Sequence, residues 1–106
     1  MQSQVCRGSG PAYVFYMIDA LAKAGEAQGL SPDLAMQLAK ATVAGAGALA
    51  KASEETPEQL RINVTSPNGT TQAGLEVLMD QNVGLTPLIG GTVAAATMRS
   101  KELSNG

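Results

Sequence analysis

The stretch from Val64 to Thr71 (Val-Thr-Ser-Pro-Asn-Gly-Thr-Thr) gathers the side chains of this sequence best suited to holding a ligand. Pro67 fixes its own φ and pushes Ser66 toward an extended backbone. Asn68-Gly69 tolerates φ > 0, so the chain can double back within two residues. Thr70 or Thr71 is then expected to cap a helix carrying Ala73, Leu75, Val77, Leu78 and Met79. A tight turn emptying into a helix N-terminus offers unpaired amide N–H groups and the positive end of a helix dipole, which together favour an anion. The threonine hydroxyls at the same place both donate and accept. On pattern alone, an ordinary capped connection between two helices is the commoner use of such residues.

The rest of the inventory narrows the chemistry by exclusion. There is no histidine and one cysteine among the 106 residues. An intrachain disulfide, a Cys/His zinc site and a Ser-His-Asp or Cys-His catalytic pair are therefore all out of reach. Cys6 lies in a head without periodicity and reads as an incidental thiol rather than a nucleophile. A net charge of −2 without a basic cluster argues against nucleic acid as a partner. No long apolar run lacks charge and the N-terminus has no signal-peptide pattern, so the expectation is a soluble, cytoplasmic protein that does not enter a membrane. Lys23, Lys40 and Lys51 fit solvated faces, and Tyr13, Phe15 and Tyr16 fit core packing better than a ligand pocket. No general acid stands out near the loop.

Helices must position that loop. The head, residues 1–7, carries no pattern and is expected to be disordered. Gly8-Ser9-Gly10-Pro11 opens a first helix, with Ser9 or Gly10 as cap and Pro11 in the first turn. Tyr13, Val14, Met17, Ile18 and Leu21 line one side of it, while Phe15, Tyr16 and Ala20 make the other side apolar too, so both sides need cover. Gly29 stops it. Ser31-Pro32-Asp33 starts a second helix that reaches Lys51 or Ala52, its middle almost entirely Ala and Gly from Ala41 to Ala50. Gly45-x-Gly47-x-x-Ala50 superficially matches a dinucleotide fingerprint, but no strand precedes it, and close helix packing explains it better. Thr56-Pro57-Glu58-Gln59 opens a short third helix with Gln59 placed for a capping box. The fourth runs from about Thr71 to Asp80. Thr86-Pro87 starts the fifth, which carries Ile89, Val93, Ala96 and Met98 toward Lys101 and leaves a fraying tail from Leu103.

The fold class expected is thus all-α, a bundle of about five helices. Hydrophobic residues reach 44%, yet alanine dominates them and aromatics are 3%. So little bulky side chain makes a lone monomer marginal. Two interleaved chains are expected.

Two stretches carry a family resemblance. Gly8-Ser9-Gly10-Pro11-Ala12-Tyr13 is similar to the opening of the first C-terminal helix of pyrroline-5-carboxylate reductases. Leu60 to Leu78, with Ser66-Pro67-Asn68-Gly69-Thr70-Thr71 at its centre, resembles that family's signature loop and the helix after it. The resemblance covers Gly8 to about Leu103 and implies an NAD(P)H-dependent enzyme that makes L-proline from 1-pyrroline-5-carboxylate. It implies that residues 8–106 form the helical dimerisation and substrate-binding domain, with the Rossmann domain that holds NADP or NAD absent from this chain. The partners it implies are a second copy, larger assemblies of such dimers, and the small substrate. Carried over residue by residue, Ser66, Asn68, Gly69, Thr70 and Thr71 would offer hydroxyl and amide groups to the substrate carboxylate. Thr71 would also lie near the imine nitrogen as the catalytic residue, and Val64 would shape the pocket. Asn68 stands where the family usually has glycine, and asparagine is the best non-glycine residue in a left-handed conformation. The alternative is a purely structural dimerisation module, inactive without its cofactor domain.

Overall fold

The computed structural model describes residues 9–105. The head at residues 1–7, Cys6 within it, Gly8 and Gly106 lie outside the described residues. Among those described there are five α-helices and no strand. They fall into two compact units, residues 9–56 and residues 57–105.

The first unit is a helical hairpin. Helix α1 spans Gly10–Ala27 and helix α2 spans Pro32–Ala52. Ser9 takes the cap position of α1 without a side-chain cap bond, because its backbone is already helical. The connection is a glycine-terminated stop: Gly29 sits at φ +109°, its N–H donates to the Glu26 carbonyl, and the Leu30 N–H reaches back to the Gly25 carbonyl. Ser31 then caps α2 as expected, its Oγ accepting the Leu34 N–H at 3.3 Å. Asp33 in the first turn and Lys51 in the last complement the helix dipole.

Small side chains seal the hairpin. Ala22, Ala35 and Ala39 are each 2% exposed, with Ile18 and Met36 packed against them. A Cβ on Gly25 would stand 3.3 Å from a Leu30 methyl and 3.4 Å from the Ala35 Cβ, so the backbones approach closely here. The expected stripe is only partly enclosed. Ile18 joins the core, whereas Val14, Met17 and Leu21 remain exposed, as do Phe15 and Tyr16. One pair of helices makes one seam, and a helix apolar all round keeps its other faces open. The Gly45 and Gly47 positions face open space within the chain.

The second unit contains α3 (Pro57–Asn63), α4 (Thr70–Leu78) and α5 (Leu85–Asn105), none of which holds a buried residue. Local hydrogen bonds set its corners. Helix α4 stops at Leu78, short of the expected Asp80, because Asp80 serves the turn instead. Its carboxylate accepts the Asn82 N–H at 2.8 Å and the Val83 N–H at 2.9 Å. Those two donors, Val83 first, hold the Asp80 carboxyl below the usual aspartate range. Gly84 closes the turn, donating to the Asp80 carbonyl. A Cβ there would overlap the Asp80 and Leu78 carbonyl oxygens. Helix α5 begins at Leu85, with Thr86-Pro87 inside its first turn, and continues to Asn105. The helical course continues past Leu103, and a 3.6 Å Arg99–Glu102 pair joins neighbouring turns before it.

Candidate functional site

The loop between α3 and α4 is anchored at both ends. Thr65 closes α3: its hydroxyl donates to the Arg61 carbonyl at 2.6 Å and its N–H to the Ile62 carbonyl at 3.1 Å. Ser66-Pro67-Asn68-Gly69 then forms a β-turn closed by the Gly69 N–H on the Ser66 carbonyl at 3.2 Å. Asn68 is the one non-glycine residue with positive φ among those described, at +61°. The turn is tight enough that a Cβ on Gly69 would lie 3.3 Å from the Ser66 oxygen.

Gly69, with an extended backbone, is the N-cap of α4, and no side chain caps this helix. This corrects the expectation that Thr70 or Thr71 is the cap: both lie inside the first turn. The consequence is chemical. A capping threonine spends its hydroxyl on the backbone, whereas a first-turn threonine keeps it for solvent or a ligand. The first intrahelical bond runs from the Ala73 N–H to the Gly69 carbonyl, so the amides of Thr70, Thr71 and Gln72 lie ahead of the helix's own acceptors.

The loop's amides therefore divide into two sets. Those of Asn68 and Gly69 are engaged internally, by the Gln72 Oε1 and the Ser66 carbonyl respectively. Those of Thr70, Thr71 and Gln72 point out of the helix start. Ser66, Asn68, Thr70 and Thr71 are exposed, and Val64 is 68% exposed. The arrangement suits a small anion received by those amides, with hydroxyls alongside.

A groove of about 570 Å³ runs beside the loop between α3 and α4. Ile62, Leu75 and Met79 give it an apolar lining, and Arg61 and Glu76 also border it. Arg61 donates to the Met79 sulfur at 3.4 Å. None of Val64, Ser66, Asn68, Gly69, Thr70 and Thr71 lines this groove, whereas Thr65, Pro67 and Gln72 do. Sequence reasoning passed over Gln72. The available signal was its spacing, four residues after Asn68, the separation at which one helical turn brings side chain and backbone together.

Gly45-x-Gly47-x-x-Ala50 lies inside α2, where its amides serve the helix, and no strand leads into it. No group of three or more His, Cys, Asp or Glu among the described residues is placed to hold a metal. No helix among them is long and apolar enough to cross a membrane.

Fold and loop together define an all-helical domain in which a tight turn leads into a helix start that no side chain caps. The chain belongs to the pyrroline-5-carboxylate reductase dimerisation family, whose description matches residues 3–103. It is 48% identical over 97 residues to the pyrroline-5-carboxylate reductase of Pisum sativum and 49% identical over 96 residues to that of Synechocystis. Those alignments cover 92% and 91% of this chain and 35% of each relative, so the chain spans about a third of the length of the curated relatives it matches. Among solved structures, it superposes with a TM-score of 0.89 on the pyrroline-5-carboxylate reductase of Coxiella burnetii at 41% identity, covering 96% of this chain and 37% of that one. The pyrroline carboxylate reductase of Plasmodium falciparum, solved with NADP bound, gives 0.88 at 34% identity, covering 95% and 38%.

Proposed function

We propose that this domain is the substrate-binding and dimer-forming part of an NAD(P)H-dependent pyrroline-5-carboxylate reductase, active in the cytoplasm in proline synthesis. The observation that carries the reading is the uncapped start of α4, where Thr70 and Thr71 amides emerge beside exposed hydroxyls. A five-membered cyclic imine with a carboxylate matches it in charge and size. The carboxylate would sit against the Thr70 and Thr71 amides, with Ser66 Oγ as a further donor. Asn68 and Gly69 would shape the turn that aims those donors, a narrower role than the resemblance gives them. Thr71 Oγ1 would lie toward the imine nitrogen, and Val64 would wall the ring.

Such a site works by positioning: it fixes the imine carbon where a hydride can reach it. The hydride would come from the nicotinamide of NADPH or NADH, bound by the cofactor domain that the resemblance implies. The nitrogen must gain a proton, and we assign its delivery to a threonine hydroxyl of the loop or to water beside it. The test is Thr71→Ala in the full-length reductase carrying this domain. Losing a hydrogen bond to a charged group predicts a roughly 10- to 100-fold fall in kcat/KM and weaker binding of proline. Unchanged turnover and unchanged proline binding would remove Thr71 from the site.

A second reading, a dimerisation module with an idle loop, draws on the exposure of Phe15 and Tyr16 at 68% and 73%. Apolar side chains displayed this widely call for a partner surface. Both readings predict a homodimer, and sedimentation at micromolar concentration checks it: a clean monomer contradicts both. Only the first predicts that proline slows hydrogen exchange at Thr70 and Thr71.

A further inference from the structure

We infer that Gln72 is a positioning residue for the substrate loop, acting through Asn68; the inference rests on the carboxylate-binding role proposed above for the start of α4. Asn68 holds a left-handed conformation at φ +61°, which asparagine reaches more easily than other residues with a Cβ but at more cost than glycine. A contact that supports it is visible. The Gln72 side chain, partly enclosed at the edge of the α3–α4 groove, turns back one helical turn and accepts the Asn68 N–H on Oε1.

That bond does two things at once. It ties the tip of the turn to the first turn of α4, fixing the angle at which the chain enters the helix. It also occupies the Asn68 amide, as the Ser66 carbonyl occupies that of Gly69. The amides left for an incoming carboxylate are then those of the first turn of α4, with Thr70 and Thr71 adjacent and Gln72 next to them, held in helical geometry. Glycine at position 68 would reach the same conformation without a supporting contact. Asparagine there is held both by the Ser66–Gly69 turn bond and by Gln72, and the Gln72 contact offsets the cost of its Cβ, so the two residues function as a pair.

Two variants of the full-length reductase test the pair. Gln72→Leu keeps the stem and removes the acceptor. It is expected to speed exchange of the Asn68 amide and to raise KM for the pyrroline carboxylate by about tenfold, the equivalent of one lost hydrogen bond, with a much smaller change in kcat. Adding Asn68→Gly to Gln72→Leu is expected to recover most of that loss, a rescue that general destabilisation would not show. Gln72→Glu retains an acceptor oxygen and is expected to keep the Asn68 amide slow. That measurement decides the matter if the leucine variant does not fold: fast exchange in the glutamate variant overturns the inference. Unchanged KM and unchanged Asn68 exchange in Gln72→Leu also overturn it. If Thr71→Ala still impairs proline binding in that case, the carboxylate site stands and only Gln72's part falls; if Thr71→Ala is silent too, the site itself is wrong.

Discussion

The two units of this chain are built on different principles. Residues 9–56 form a hairpin of two long helices joined through alanine and glycine, with Ala22, Ala35 and Ala39 shut away from solvent. Residues 57–105 hold two short helices and a long one without a buried residue in any of them. Their corners are kept by single hydrogen bonds: Thr65 to Arg61, Asn68 to Gln72, and Asp80 to Asn82 and Val83. The candidate site lies in this second unit, and the reason is physical. Amides and hydroxyls that must meet a ligand cannot be buried against other side chains, so the segment presenting them is held by local bonds rather than by packing. The hairpin does the opposite, holding its shape by contact, with no polar side chain buried among its described residues.

The sharpest way to break this contrast is to strike each unit at its own principle. Gly84→Ala places a methyl group onto two backbone carbonyls in the α4–α5 turn, and neither can move without undoing that turn. We expect a loss of about 3 kcal/mol, the upper end for a single substitution, with faster hydrogen exchange concentrated at residues 78–88. Ala35→Leu overfills the hairpin seam and is expected to cost about 2 kcal/mol, with its exchange signature at α1 and α2 instead. Denaturant unfolding with residue-level exchange checks both. If either substitution loosened both units alike, the division into a packed half and a locally bonded half would be wrong.

The same contrast explains what was legible in the sequence. Capping and stop signals are local, so Gly29, Ser31 and the turn at Asn68 could be read from residue type alone, and the structure places each where its chemistry requires. The hairpin core could not be read this way. Periodicity marks Val14, Met17 and Leu21 as apolar, but which apolar residues are buried depends on how near the second helix comes, and near approach selects alanine over leucine. The start of α4 was misjudged by a residue or two because glycine and threonine compete for the cap, and an extended Gly69 settles it. The end of α5 lies further along than expected because a polar tail carries no apolar period to mark it, though side chains such as Arg99 and Glu102 pair near it. Gln72 escaped notice because its role exists only once Asn68 has turned left-handed.

The smallest expected effect concerns the locally bonded half and its dependence on charge. Asp80 is exposed, yet the Val83 and Asn82 N–H groups both donate to its carboxylate and hold its pKa below the ordinary value, about 3.9 in an unfolded chain. The charged form is thus the one the folded turn favours. Its contribution is complete above the unfolded-state value and is lost as pH falls through the lower, folded one. A carboxyl titration followed by NMR should show an Asp80 midpoint below the ordinary range, with the Asn82 and Val83 amides shifting along the same curve. Asp80→Asn keeps an acceptor oxygen while removing the charge, so those two amides should lose their response to acid while the turn persists. A wild-type midpoint at or above the ordinary value would mean that the two bonds do not favour the carboxylate. The corner between α4 and α5 would then owe its shape to Gly84 alone, which needs no charge and would hold equally well in acid.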